Sequence, residues 1–264
     1  FGGLDGRTAL SDTWEWDGTS WIQRTPPSAP PGRAFHAMAW DAARQRIVLF
    51  GGLDGRTALS DTWEWDGTTW AQPTPLAAPS ARESHAMGWD AGRQRVVLFG
   101  GARSRTNLSD TWEWDGSAWT QRAMTTPPTR TGHVLSWDAT RQRVVLFGGY
   151  DANIRQLSDT WEWDGTSWTQ ALPASEPPAR NSHSLSWDGA RQRVVLFGGY
   201  ASTLFSDLWE WDGSAWLARA PVLAPSPRFN QALAWDATRQ LVLLVGGRDG
   251  QTVLSDTWSW DGAN

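Results

Sequence analysis

The stretch from His36 to Trp70, HAMAWDAARQRIVLFGGLDGRTALSDTWEWDGTTW, decides the fold. His36-Ala-Met-Ala-Trp40 reads as a short strand, and Asp41-Ala-Ala-Arg-Gln45 as a polar turn. Arg46-Ile-Val-Leu-Phe50 is a second strand, apolar at four consecutive positions, as expected where both faces are covered. Gly51-Gly52 ends it. After a loop, Asp61-Thr-Trp-Glu-Trp65 alternates strictly, with Trp63 and Trp65 on one face and Thr62 and Glu64 on the other. Asp66-Gly67 is a hairpin-turn signal, and Trp70 opens a fourth strand. No segment sustains a helical 3.6-residue period.

The same unit recurs along the 264 residues with a period of about 49, starting at Phe1, Phe50, Phe99, Phe147 and Phe197, with a partial copy from Val245 to Asn264. Residues 1–19 and 50–68 are identical, the mark of a recent duplication. No linker interrupts the repeats, so residues 1–264 read as one domain. The chain opens on Phe1 without a Met or a signal peptide, which reads as a fragment or processed form.

Composition narrows the function classes. A net charge of −5, with no basic run, argues against a nucleic-acid partner. No apolar stretch approaches the roughly 18 residues of a membrane span. The chain holds no cysteine, which removes disulfides, thiolate metal sites and a cysteine nucleophile. No Walker loop, dinucleotide fingerprint, HExxH or GxSxG motif is present.

Four short antiparallel strands per repeat are the pattern of a β-propeller blade. The Gly-Gly doublet after an apolar strand, the Arg-x-x-His upstream of it (Arg33…His36, Arg82…His85, Arg130…His133, Arg180…His183) and the spaced tryptophans downstream resemble Kelch repeats, over essentially the whole chain. The fold class expected is therefore all-β, a Kelch-type β-propeller of four-stranded antiparallel blades. Two departures from the family pattern stand out: Asn230 in the place of the fifth histidine, and Trp-x-Trp on the third strand. The resemblance implies a protein- or peptide-binding scaffold.

Counting the expected strands gives twenty-one, one more than five blades use and three fewer than six. Five blades are favoured, with the ring closed by pairing the N- and C-terminal strands; six blades, or a fragment of a longer array, are the alternatives. A surplus strand in a homogeneous repeat also predicts homo-oligomers by strand exchange.

Residues that recur in every blade read as scaffold. Trp14, Trp16, Trp21 and Trp40 fill wedges between blades rather than forming a sugar-stacking platform. Arg33, His36, Gly51 and Gly52 are structural. The histidines are not a zinc ring: zinc needs nitrogens at about 2.0–2.1 Å, and equivalent atoms of adjacent blades sit about 10 Å apart. Asp12, Glu15 and Asp17 recur too often for one asymmetric catalytic centre, so no catalytic residue, metal site or cofactor is assigned. Asp17 reads as turn chemistry and Glu15 as a solvated or Arg-paired strand face.

The loops from strand two to three and from strand four to one vary between copies and emerge on one face, where recognition is normally carried. The candidates that break the repeat there are Phe35, Glu83, Arg103, Arg105, Tyr150, Arg155, Tyr200, Phe205 and Phe229; aromatics and arginines dominate binding hot spots. The reading is a non-enzymatic scaffold for a protein or peptide. A glycan-binding propeller, a small-molecule enzyme using the central channel, and a recently amplified scaffold without a specific partner are the alternatives.

Overall fold

The computed structural model describes residues 1–6, 8–122 and 126–263. Its described residues form strands, turns and loops, with no helix. Two compact units are distinguished, Phe1–Trp89 with Gln94–Ala123, and Asp90–Arg93 with Met124–Asn264.

The first unit begins with a small hairpin, β1 (Gly3–Asp5) and β2 (Thr8–Leu10), and a two-stranded sheet, β3 (Thr13–Trp16) and β4 (Trp21–Arg24). Blade A follows: β5 (Ala37–Asp41), β6 (Arg46–Phe50), β7 (Thr62–Trp65) and β8 (Trp70–Ala71), paired in chain order. Blade B comprises β9 (Ala86–Asp90) and β10 (Arg95–Phe99), a loop hairpin of β11 (Ala102–Arg103) and β12 (Thr106–Asn107), then β13 (Thr111–Trp114) and β14 (Trp119–Arg122).

The second unit holds blade C, with β15 (Val134–Asp138), β16 (Arg143–Phe147), β17 (Thr160–Trp163) and β18 (Trp168–Ala171). Blade D has β19 (Ser184–Asp188), β20 (Arg193–Phe197), β21 (Leu208–Trp211) and β22 (Trp216–Arg219). Blade E has β23 (Ala232–Asp236), β24 (Leu241–Val245) and β25 (Thr257–Trp260). The first strands β15, β19 and β23 of these three blades lie side by side. All ladders are antiparallel, and each second strand is the core of its blade: Val48, Leu49 and Phe50, like Val144 to Phe147, are fully buried.

Five blades are thus present, four with four strands and the last with three. In the first unit β3 pairs with β4 across the Asp17-Gly18 turn as a sheet of its own; in the second, β25 is the outer strand of a three-stranded sheet beside β24.

Blade joints use the tryptophans together with the third-strand glutamate. Trp114 Nε1 donates to Glu64 and Trp119 Nε1 to Thr62 Oγ1 of the preceding blade. In the second unit Trp211 donates to Glu162 and Trp216 to Thr160 Oγ1. Of the two readings of the glutamate, the arginine-paired one is seen: Glu15 pairs with Arg24 at 2.8 Å, and Glu113 and Glu210 are buried and paired with Arg122 and Arg219. Packing also fails at the head of the array. Trp14, Trp21 and Trp40 are 42%, 40% and 51% exposed, whereas Trp63 and Trp70 are buried. Trp14 and Trp21 stand in a sheet of two strands, and Trp40 heads the first complete blade; Trp16 is half-buried.

Candidate recognition surface

The variable loops are anchored by one ion pair per blade. Arg33, Arg82, Arg130, Arg180 and Arg228 are buried, and each grips the aspartate that precedes strand three with both guanidinium nitrogens. Each also donates to the first carbonyl of the glycine doublet, as Arg180 does to Gly198 at 2.9 Å. The same aspartate accepts the third-strand indole, Trp209 Nε1 to Asp207 at 2.6 Å. Burial alone would push the Asp207 carboxyl up; the hydrogen bonds and charge of Arg180 outweigh it and hold it below the usual range. The pair ties the end of the loop between strands four and one to the end of the loop between strands two and three. The recurring Ser-Asp-Thr-Trp was its sequence signal, since a buried arginine requires a carboxylate.

The glycine doublet is required here by geometry. Gly148 and Gly149 have φ of 65° and 91°, and a Cβ on either would meet the Arg180 or Thr131 carbonyl within 2.7 Å. Gly51 and Gly52 make the same approach to Arg82 and Ala34.

His183 is buried edge-on against Phe147 of the preceding blade, with ring centroids 5.4 Å apart. Burial, then the charge of Arg180, keeps its pKa well below the ordinary histidine value. His36, likewise pushed down to about 3 by burial, packs on Phe1. In blade E this place belongs to Gln231, which donates to the Phe197 carbonyl at 2.7 Å. The assignment of Asn230 to the histidine position is corrected by one residue. Asn230, with φ of 56°, occupies the left-handed position of Phe35, Ser84, Gly132 and Ser182. Those residues link blades: Ser84 N–H donates to the Phe35 carbonyl, Ser182 to Gly132 and Asn230 to Ser182, at 2.8–2.9 Å.

Phe35 is exposed beside this link, and Glu83 is half-buried in a bridge with Ala102. Burial pushes the Glu83 carboxyl up. Arg103 and Arg105 are exposed on the β11–β12 hairpin, Arg105 at φ 71° in its turn. Arg7, in the first variable loop, lies outside the described residues.

In the second unit the bridges Thr131–Tyr150, Asn181–Tyr200 and Phe229–Arg248 line up from blade to blade. Tyr150 and Asn181 both flank Gly132. Asn181 Nδ2 donates to the Tyr200 carbonyl, and the Tyr200 ring lies 6.2 Å from that of Phe229. Tyr150, Tyr200 and Phe229 are thereby brought into one strip that ends on Arg248, whose buried Nε has no partner. Asn181 and Arg248 were missed in the sequence. Aligning the repeats on the doublet shows Arg248 where the other loops carry Leu53, Ala102, Tyr150 and Tyr200.

Two candidates do not join the strip. Phe205 takes the recurrent leucine position of Leu59, Leu108, Leu157 and Leu254, and its ring stacks 4.0 Å from the Arg180 guanidinium. Arg155 is exposed but held to Asp151 at 2.7 Å within its own loop. Among the described residues no three His, Asp or Glu side chains come close enough to hold a metal ion. No helix is long and apolar enough to cross a membrane.

A search of curated proteins found no match. The family model for the KLHDC2/KLHL20/DRC7 Kelch-repeats domain matches residues 115–264, more than half of the chain and including all of blades C, D and E. With the arginine–aspartate anchor, the glycine doublet and the four-stranded blades, that match places the chain in the Kelch-repeat family of β-propellers.

Proposed function

We propose that this protein is a non-enzymatic scaffold that binds a protein or peptide segment through the strip Tyr150–Asn181–Tyr200–Phe229–Arg248. Kelch propellers typically serve as protein-interaction scaffolds. The observation that carries the reading is the Tyr200–Phe229 pair: two aromatic rings from different blades, 6.2 Å apart, with Tyr200 42% exposed. Aromatic side chains of this kind supply large contact area at low entropic cost and dominate hot spots. Asn181 is buried and holds the Tyr200 loop through its Nδ2, and Arg248 adds a guanidinium at the end of the strip, so the segment that fits offers an apolar side chain to the rings and acceptor oxygens to Arg248. The exposed tryptophans that sugar stacking would use, Trp14, Trp21 and Trp40, stand on strands outside these loops.

Peptides selected from a display library on the intact chain provide the probe. Tyr200→Ala is expected to weaken the selected peptides by about 30-fold, in line with a hot-spot residue worth about 2 kcal/mol. Arg103→Ala, outside the strip, is expected to leave them unchanged. Equal binding by the parent and Tyr200→Ala would sink the assignment.

A further inference from the structure

The loop from Tyr150 to Gln156, between β16 and β17 of blade C, fixes its own tip by hydrogen bonds. Tyr150 and Gln156 form a bridge at its base. The Asp151 N–H donates to the Arg155 carbonyl and the Ile154 N–H to the Asp151 carbonyl, both at 3.0 Å. The Asp151 carboxylate accepts from the Asn153 N–H at 2.8 Å, from the Arg155 N–H at 3.0 Å and from the Arg155 guanidinium at 2.7 Å.

Inside that frame Ile154 has φ of 62°. A β-branched side chain in the left-handed region crowds the backbone around it, so isoleucine is among the least suitable residues for the place. The corresponding loop of blade E avoids the conflict: its turn is capped by Asp249, and its positive φ falls on Gly250. Burial does not offset the strain either, because Ile154 is 72% exposed. The loop holds an unfavourable residue in one conformation and turns its side chain to solvent. Residues held in this way cluster at ligand clamps and binding sites.

The position of the loop says what Ile154 would touch. It begins at Tyr150, the blade C end of the line that runs through Tyr200 and Phe229 to Arg248. Asp151 neutralises Arg155, so the tip adds apolar surface without an uncompensated charge beside it. The two ends of the strip therefore differ chemically, aliphatic at blade C and cationic at blade E.

We propose that Ile154 is the apolar anchor at the blade C end of the strip, a specificity-determining residue that receives one large apolar side chain of the bound segment. The inference rests on the strip being the binding surface. With Arg248 at the far end, the anchor sets the direction in which the segment lies. Because the tip is already fixed, little ordering is left to do when the segment arrives.

Peptides selected on the intact chain, each scanned with alanine, are the probe. Ile154→Asn keeps the loop, since asparagine accepts the left-handed region, and removes the apolar side chain. It is expected to weaken the peptides about ten-fold or more while leaving the urea midpoint unchanged or higher. A residue with only a structural role would not lose binding while the fold gains. Ile154→Val, still β-branched and apolar, should lose no more than the about four-fold that one methylene is worth. One apolar position of the peptide should become insensitive to alanine in Ile154→Asn and stay sensitive in Arg248→Ala. Weakening by Tyr200→Ala but not by Ile154→Asn would overturn the anchor and leave the strip standing; weakening by neither would remove both. A lower urea midpoint for Ile154→Asn, or equal losses for the asparagine and valine variants, would also overturn the anchor.

Discussion

At the scale of the residue, the molecule runs on a few polar groups held in dry places. A buried arginine survives because an aspartate some 28 residues later meets it with two hydrogen bonds. The histidine three positions after it survives by staying neutral. His183 has a folded pKa below its unfolded value, so the unfolded chain takes a proton that the folded chain refuses. Stability is then complete above about pH 6.5 and falls as the pH drops through that value, by about 1.4 kcal/mol per pH unit for each such histidine. Gln231 shows that an amide fills the same place without a titrating group. His183→Gln is expected to match the parent in urea midpoint at pH 7 and to exceed it by up to about 2 kcal/mol at pH 5. A parallel loss in both proteins on acidification would show that this histidine is not the sensitive group.

At the scale of the element, adjacent blades are clasped by the turn between strands one and two. Its aspartate caps its own turn and pairs with the arginine three residues on, as Asp138 does with Arg141 at 2.7 Å. The side chain of that arginine reaches over the Asp-Gly turn of the next blade, Arg44 over Gly116, Arg93 over Gly165, Arg141 over Gly213 and Arg191 over Gly262. Arg93 also donates to the Gly165 carbonyl at 2.8 Å and lies over the Trp163 ring. Gly67 has φ of 93° like the others, but no atom lies within 4 Å of where its Cβ would stand. Gly67→Ala should thus carry only the backbone strain, about 1–2 kcal/mol. Gly213→Ala should add displacement of Arg141 and cost roughly 1–2 kcal/mol more. Equal losses in chemical denaturation would remove the arginine clasp from the account.

This clasp was only half legible in the sequence. The constancy of Trp-Asp-x-x-Arg-Gln marked it as scaffold, and Asp-Gly marked a turn, but nothing local says that one repeat's arginine covers the next repeat's glycine. The same limit explains the other misreadings. Glu15 and its copies read as solvated or Arg-paired, and the arginine is there; their second role, as acceptor, appears only when the neighbouring blade's indole arrives. Phe205 looked like an individual feature because it replaces leucine, and its place under Arg180 is a tertiary fact. The aromatic strip was legible in part: Tyr150, Tyr200 and Phe229 stood out by breaking the pattern, while Asn181 and Arg248 required the bridges that set them beside those rings.

At the scale of the whole molecule, a repeat's place in the array decides what its side chains are worth. Trp21 and Trp70 are the same residue of the same motif, yet one is 40% exposed and the other buried. Trp70→Ala is expected to cost roughly 3–5 kcal/mol by thermal or urea unfolding, and Trp21→Ala less than about 1 kcal/mol. Similar losses at both sites would mean that the N-terminal sheet is covered in solution. The sequence by itself determined the unit: period-2 alternation, Asp-Gly turns and the Gly-Gly doublet are local statements, so four strands per repeat and an all-β Kelch propeller could be read directly. It also determined the odd strand count. The tertiary structure alone decided which buried polar groups meet across a blade joint, because the glutamate that accepts a joint indole lies on the neighbouring blade. It decided likewise which repeat-breaking residues meet, since proximity across blades is set by packing and not by spacing along the chain.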